Sequence, residues 1–164
     1  MRIGVYPGSF DPFTLGHLDI LKKAQPLFDK IYVAVLNNPA KKSTFTTEEK
    51  CQIIKDILKA EKIENVEVES FGGLTVDYCK SKNATYLIRG LRSVTDFEYE
   101  FQLHAVNRSM SREIETMFFM SSLRYSYLSS SIVKEMAQHG ADISRFIHPV
   151  SLDFILNRIK NNEK

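Results

Sequence analysis

Five short runs rich in β-branched and aromatic residues recur along the first three quarters of the chain: Arg2 to Tyr6, Lys30 to Leu36, Val66 to Phe71, Tyr86 to Arg89 and Glu115 to Phe119. Each is bounded by turn residues, the pattern of a buried strand. Between them lie helical patterns. Leu15 to Phe28 carries Leu18, Leu21, Ala24 and Phe28 at three- and four-residue spacing, and Thr47 to Leu58 follows a Thr-Thr-Glu-Glu start of capping-box type. Leu74 to Lys82 and Ser93 to Arg108 continue the alternation. Strand alternating with helix demands parallel strands joined by crossovers, with helices on both faces. The expected fold is therefore α/β, a doubly wound, Rossmann-like sheet of five parallel strands. After Phe119 only helical patterns follow, Ser130 to His139 and Ser151 to Asn161, and these are expected to pack beside the last strand.

At 164 residues the chain fits one domain, with residues 1–120 as the α/β core and 121–164 as its helical extension. An apolar content of 43% suffices to fill such an interior and excludes a disordered chain. The 22 Lys and Arg against 20 Asp and Glu leave a net charge of +2, which argues against a general nucleic-acid binder, so any cationic site must be local. No apolar run approaches the ~18 residues of a membrane span, and the start Met1-Arg2-Ile3-Gly4 shows no signal core, so a cytoplasmic location is expected. Cys51 and Cys79 fall in two different helical patterns and are assigned no chemistry.

In doubly wound sheets the ligand lies beyond the carboxyl ends of the strands. The first strand runs into Pro7-Gly8-Ser9-Phe10-Asp11-Pro12-Phe13-Thr14-Leu15-Gly16-His17, which puts His17 in the first turn of a helix. Unpaired N–H groups and the helix dipole favour an anion there, and an imidazole adds a directional donor. Gly16 either lets a nucleotide lie against the backbone or serves helix–strand packing, with His17 then a surface residue. Neither G-x-G-x-x-G nor G-x-x-x-x-G-K-[ST] occurs, so the usual dinucleotide and P-loop fingerprints are absent.

The second strand is followed by Lys41-Lys42 and the fourth by Arg89-Gly90-Leu91-Arg92, placing cations at neighbouring strand ends. A lysine pair in a loop is otherwise a solvated surface feature. Arg89 ends an apolar strand before Gly90, where the chain can bend around a ligand, and arginine clamps phosphate oxygens in pairs. In the next helix Val94, Phe97 and Phe101 form an apolar stripe, and Glu100 on its shoulder is a candidate acceptor for an adenine amino group or a ribose. Acids at that helix start also complement its dipole. Ser129-Ser130-Ser131 opens a later helix, where one serine is an N-cap and three would offer donors to a polyphosphate. His104, His139 and His148 lack partners at metal-ligand spacing, and no G-x-S-x-G elbow occurs, which argues against zinc and covalent catalysis.

Pro7-Gly8-Ser9-Phe10-Asp11-Pro12, Thr14-x-Gly16-His17, Arg89-Gly90-Leu91-Arg92, Asp96-Phe97-Glu98-Tyr99-Glu100 and Ser129-Ser130-Ser131 together resemble bacterial phosphopantetheine adenylyltransferases, in order and spacing over nearly the whole chain. Thr-x-Gly-His marks the wider nucleotidylyltransferase superfamily. The resemblance implies transfer of AMP from ATP to 4′-phosphopantetheine, giving dephospho-coenzyme A and pyrophosphate, with magnesium accompanying the ATP. It implies ATP contacts from Ser9, Phe10, His17, Gly90, Leu91, Arg92, Glu100, Tyr125, Ser126, Tyr127, Leu128, Ser129, Ser130 and Ser131. Ser9, Lys41, Thr75 and Arg89 would meet phosphopantetheine, and His17, Lys41 and Arg89 would carry catalysis. A homohexamer and inhibition by coenzyme A are implied as well. Ser9 stands where the family often has Thr, Tyr125 where Trp can occur, and Ser111-Arg112 lacks a frequent proline. The alternatives are a relative with a different phosphate acceptor, or a non-catalytic nucleotide sensor or RNA-binding module.

Overall fold

The computed structural model describes residues 1–37 and 42–161. Strands β1 (Ile3–Gly8), β2 (Lys30–Leu36), β3 (Val66–Phe71), β4 (Tyr86–Leu91) and β5 (Glu115–Met120) form a parallel sheet in the order β3-β2-β1-β4-β5. The helices among the described residues are α1 (Leu15–Ala24), α2 (Thr47–Ala60), α3 (Thr75–Ser81), α4 (Val94–Met110), α5 (Ser130–Gln138) and α6 (Pro149–Asn161). The order reverses beside β1: the chain winds outward to β3 and returns to start β4 on the other side.

Strand alternation builds two cores. Tyr6, Val33, Val35 and Ile88 face a cluster that includes Leu18 and Leu21 of α1, Ile54 and Ile57 of α2, Val133 of α5, and Ile155 and Ile159 of α6. Their neighbours Val5, Ala34 and Leu87 point the other way, onto Val76 and Cys79 of α3. A period of two along each strand therefore assigns helices to both faces, as a doubly wound sheet requires. No helix among the described residues is long and apolar enough to cross a membrane.

Four local expectations are corrected. Helix α1 stops at Ala24, short of Phe28, and passes into a 3-10 turn over Gln25–Leu27, because Pro26 lacks the N–H that an α-helix needs. Strands β1 and β4 each run two residues beyond Tyr6 and Arg89, so Gly90 is no bend: it pairs with Phe119 inside the sheet. Helix α6 packs on α2 and α5, with Phe154 against Phe45 and Arg158 paired with Glu49; α1 already covers β4 and β5 on that face. The stripe on α4 turns outward, leaving Val94 77%, Phe97 44% and Phe101 55% exposed, while Glu100 is the residue that is buried.

The missing side chain at Gly90 has a packing reason. A Cβ there would sit 2.9 Å from Cγ1 of Ile20, a buried residue of α1. Overpacking of this kind costs roughly 1–3 kcal/mol, so Gly90→Ala is expected to lower the urea midpoint by that equivalent with an unchanged slope. An unshifted midpoint would show that α1 can move away freely.

Candidate active site

The cleft begins where the sheet opens. β1 and β4 pair only through Gly4 with Tyr86 and Val5 with Leu87, whereas β1 and β2 stay paired as far as Gly8 and Val35. Pro7 has no N–H to extend the β1 ladder. The carboxyl ends of the two strands thus separate at the reversal of strand order, the place where doubly wound folds hold ligands. A cleft of about 360 Å³ occupies the opening, lined from below by Pro7 to Phe10 and by Arg89 and Gly90.

His17 enters this cleft from the first turn of α1. Thr14 is the N-cap: its hydroxyl accepts the His17 N–H at 3.4 Å, and its own N–H donates to His17 Nδ1 at 3.0 Å. The usual acid of a capping box is here replaced by an imidazole. An Nδ1 that accepts leaves the ring proton on Nε2, which has no partner among the described residues. Burial, and after it the positive charge of Arg92, push the pKa of His17 down to about 4. The ring is a neutral, single-proton donor, steadied by Phe10 and Phe13 at centroid distances of 5.2 and 5.4 Å.

Two arginines face it, and α4 holds both. Arg89 donates from Nε and Nη2 to the two oxygens of Glu100, each at 2.6 Å, and from Nη1 to the carbonyl of Pro7 at 3.1 Å. Burial alone would lower the Arg89 pKa, but the Glu100 contacts outweigh it and raise it above the ordinary value, and a guanidinium carries its charge in either case. Arg92 donates to Asp96 at 2.8 Å and to the carbonyl of Leu128 at 2.7 Å, which ties the start of α4 to the loop before α5.

That loop closes the far wall. Tyr125, Leu128, Ser129 and Ser130 line the cleft. Ser129 is the N-cap of α5, accepting the Ile132 N–H, and the Ser130 hydroxyl donates to the carbonyl of Pro12 at 2.7 Å. Two of the three serines are thus fixed by the protein, and Ser131 faces solvent away from the cleft. Asp11 anchors the opposite end of the same wall. It accepts the N–H groups of Thr44 and Phe45, and Lys134 at 2.8 Å. Burial pushes the pKa of Asp11 up, but the hydrogen bonds from Lys134, Thr44 and Phe45 prevail and hold it below the ordinary carboxylate value.

Of the residues singled out from sequence, Ser9, Phe10, His17, Arg89, Gly90, Arg92, Glu100, Tyr125, Leu128, Ser129 and Ser130 share this cleft. Leu91, Ser126, Tyr127 and Ser131 do not line it, and Lys41 lies outside the described residues. Thr75 lines a second, smaller cavity of about 90 Å³ with Leu103, His104, Asn107 and Thr116. Pro7, Arg89 and Glu100 border both spaces, so the Arg89–Glu100 pair stands between them.

A family model described as cytidylyltransferase-like matches residues 5–136. The chain is 48% identical over 162 residues to a phosphopantetheine adenylyltransferase of Caldanaerobacter subterraneus subsp. tengcongensis, covering 99% of this chain and 100% of that one. It is 51% identical over 161 residues to the enzyme of the same name from Geotalea daltonii, covering 96% and 99%. The chain belongs to the phosphopantetheine adenylyltransferases. Among solved structures, the nicotinic acid mononucleotide adenylyltransferase of Plasmodium falciparum, complexed with NaAD, superposes with a TM-score of 0.70 at 21% identity, covering 98% of this chain and 96% of that one. At that identity the likeness speaks for the fold.

The sequence reading of this adenylyltransferase named Glu100 but did not single out the residues that share its face of α4. Asp96 in the cleft and Leu103, His104 and Asn107 in the smaller cavity recur with Glu100 at three- and four-residue spacing, and that regularity was a usable signal. Ser121 joins the cleft only through the chain reversal after β5, which no local pattern announces.

In the unfolded chain His17 titrates near its ordinary value of 6.5, and in the fold near 4. Between those values the unfolded state binds the extra proton, so acidification across this window destabilises the fold. The ring nitrogens of His17 are expected to keep their neutral NMR signature from pH 8 to about pH 5, with Nε2 protonated. An imidazolium signature at pH 6 would contradict the capping geometry.

Proposed function

We propose that the cleft binds ATP and 4′-phosphopantetheine side by side and transfers the adenylyl group by alignment and charge stabilisation, with no general base. The family membership gives the overall reaction, the step of coenzyme A synthesis that makes dephospho-coenzyme A. The observation that best supports the mechanistic reading is the placement of a neutral imidazole donor and a half-buried, charged arginine on the same opening of the sheet. A phosphate monoester has a second pKa of about 6, so the acceptor is already a dianion at neutral pH and has no proton to lose. Its oxygen attacks the α-phosphorus of ATP, the bond to the bridging oxygen breaks, and pyrophosphate leaves with both bonding electrons.

In this reading Arg89, aided by Lys41, holds the acceptor phosphate. Nε2 of His17 donates to an oxygen of the α-phosphate, where charge changes in the transition state. The free backbone N–H groups at the start of α5 favour the remaining phosphates. The small cavity beside Arg89, which includes Thr75, suits the pantetheine arm. The two carboxylates lining the cleft, Asp96 and Glu100, are engaged by Arg92 and Arg89, and no group of three or more metal-ligating side chains occurs among the described residues. That donor set fits magnesium that arrives on the triphosphate, whose own oxygens coordinate it. When bound, it offsets phosphate charge.

Assembly into a homohexamer, inhibition by coenzyme A and a cytoplasmic location belong to the same proposal. The outward apolar face of α4, together with Met120 at 64% and Leu123 at 89% exposure, supports assembly. Coenzyme A contains both the pantetheine arm and an adenine nucleotide, so it would compete for both spaces.

His17→Ala is expected to lower kcat by at least ~10²-fold, the effect of removing one oxyanion donor, while thermal melting shows a folded protein. Pyrophosphate release with ATP and phosphopantetheine measures it. A turnover equal to wild type would remove His17 from the mechanism.

A further inference from the structure

Glu100 lines the cleft yet is only 9% exposed, because its carboxylate is taken up by a protein cation rather than by water. Its two oxygens sit on Nε and Nη2 of Arg89, the bidentate fork arrangement, and the Pro7 carbonyl takes a third donor from Nη1. A guanidinium carries five N–H groups. These three contacts leave one on each terminal nitrogen, with no partner among the described residues. Fixing three donors of a planar group fixes the plane, and with it the direction of the two that remain. The Pro7 carbonyl is available for this because β1 and β4 have stopped pairing at that level.

We propose that Glu100 is a positioning residue for the acceptor, acting through Arg89: it sets the plane of the guanidinium so that its two remaining N–H groups meet the phosphate of phosphopantetheine. This assigns Glu100 to the acceptor half of the reaction rather than to the nucleotide, and it rests on the reading that Arg89 meets that phosphate. The position of the pair, on the border shared by the cleft and the smaller cavity, is where the acceptor phosphate must lie if its arm occupies the latter. Without Glu100 the arginine keeps its charge and loses its aim. The attraction for phosphate survives, and the alignment that lets it bind productively does not.

The experiment uses the intact enzyme and a cycle of Glu100→Gln, Arg89→Gln and the double variant. ATP affinity is read by calorimetry without acceptor, and the phosphopantetheine KM and kcat from pyrophosphate release at saturating ATP. Glu100→Gln is expected to raise the phosphopantetheine KM about tenfold while the ATP Kd stays within about twofold, and to change the KM by less than about twofold in the Arg89→Gln background. A weakened ATP Kd with an unchanged acceptor KM would overturn the proposal in favour of a nucleotide contact. Additive effects on KM would overturn it too, because Glu100 would then act independently of Arg89. If Arg89→Gln alone leaves the acceptor KM unchanged, it is the underlying reading of Arg89 that fails. Should Glu100→Gln fold poorly because Arg89 is left uncompensated, the comparison of Arg89→Gln with the double variant still decides, since the cation is absent from both.

Discussion

The separation of β1 from β4 is the constraint on which the site depends. A parallel ladder that ran on past Val5 and Leu87 would fill with backbone hydrogen bonds the space that the cleft occupies. Two features of the sequence stop it: Pro7 withholds an N–H, and the chain reverses its winding direction at this boundary, so no crossover helix covers the gap. The freed Pro7 carbonyl does not stay unpaired. Arg89, one strand over, reaches across to it, so the same break in the sheet that opens the cleft also orients one of the groups that line it.

The electrostatics explain how a chain of net charge +2 can gather cationic groups in one cleft without being a basic protein. The two cleft arginines are each matched to a carboxylate on α4, and His17 is neutral. Charge is therefore stored locally and balanced locally. Ion pairs at such partly buried positions contribute little net stability. Their value lies in direction: Arg89 and Arg92 present fixed donors where flexible surface lysines would have to be ordered by the ligand. The imidazole follows the same logic, since Thr14 orients it before any ligand is bound.

The sheet, the helix alternation and the position of His17 were legible because each rests on short-range periodicity or spacing. Thr14, Gly16 and His17 lie within one helical turn, so their arrangement is dictated locally. The facing of α4 was not legible, for an instructive reason. Periodicity identifies an apolar face of α4, Val94, Phe97 and Phe101, but says nothing about whether that face meets the core of its own chain. Here the apolar face looks outward, and the polar face of Asp96, Glu100, His104 and Asn107 looks in, because what it meets there is the cleft and the smaller cavity beside it rather than a packed core. The course of α6 was illegible as well: its amphipathic pattern requires a partner and does not say which, and α1 had already taken the space on β4 and β5. Gly90 shows the same limit on a smaller scale, since its missing Cβ answers to Ile20, seventy residues earlier in the chain.

On the proposed mechanism these long-range placements matter more than any reactive side chain. A nucleophile that needs no deprotonation removes the demand for a base with a tuned pKa, and a leaving group as stable as pyrophosphate removes the demand for a strong acid. What is left is to bring two mutually repelling anions into line and to meet the charge that shifts between them. The groups this protein holds most firmly are suited to that task. The Nε2–H of His17 is oriented by a helix cap, and the guanidinium of Arg89 by a carboxylate and a carbonyl. Arg92 ties α4 to the loop before α5, and Asp11 ties that helix to the first turn, so both walls of the cleft are referenced to the same strand ends. On that mechanism, rigidity at those few joints, rather than intrinsic reactivity, is what the fold supplies to the reaction.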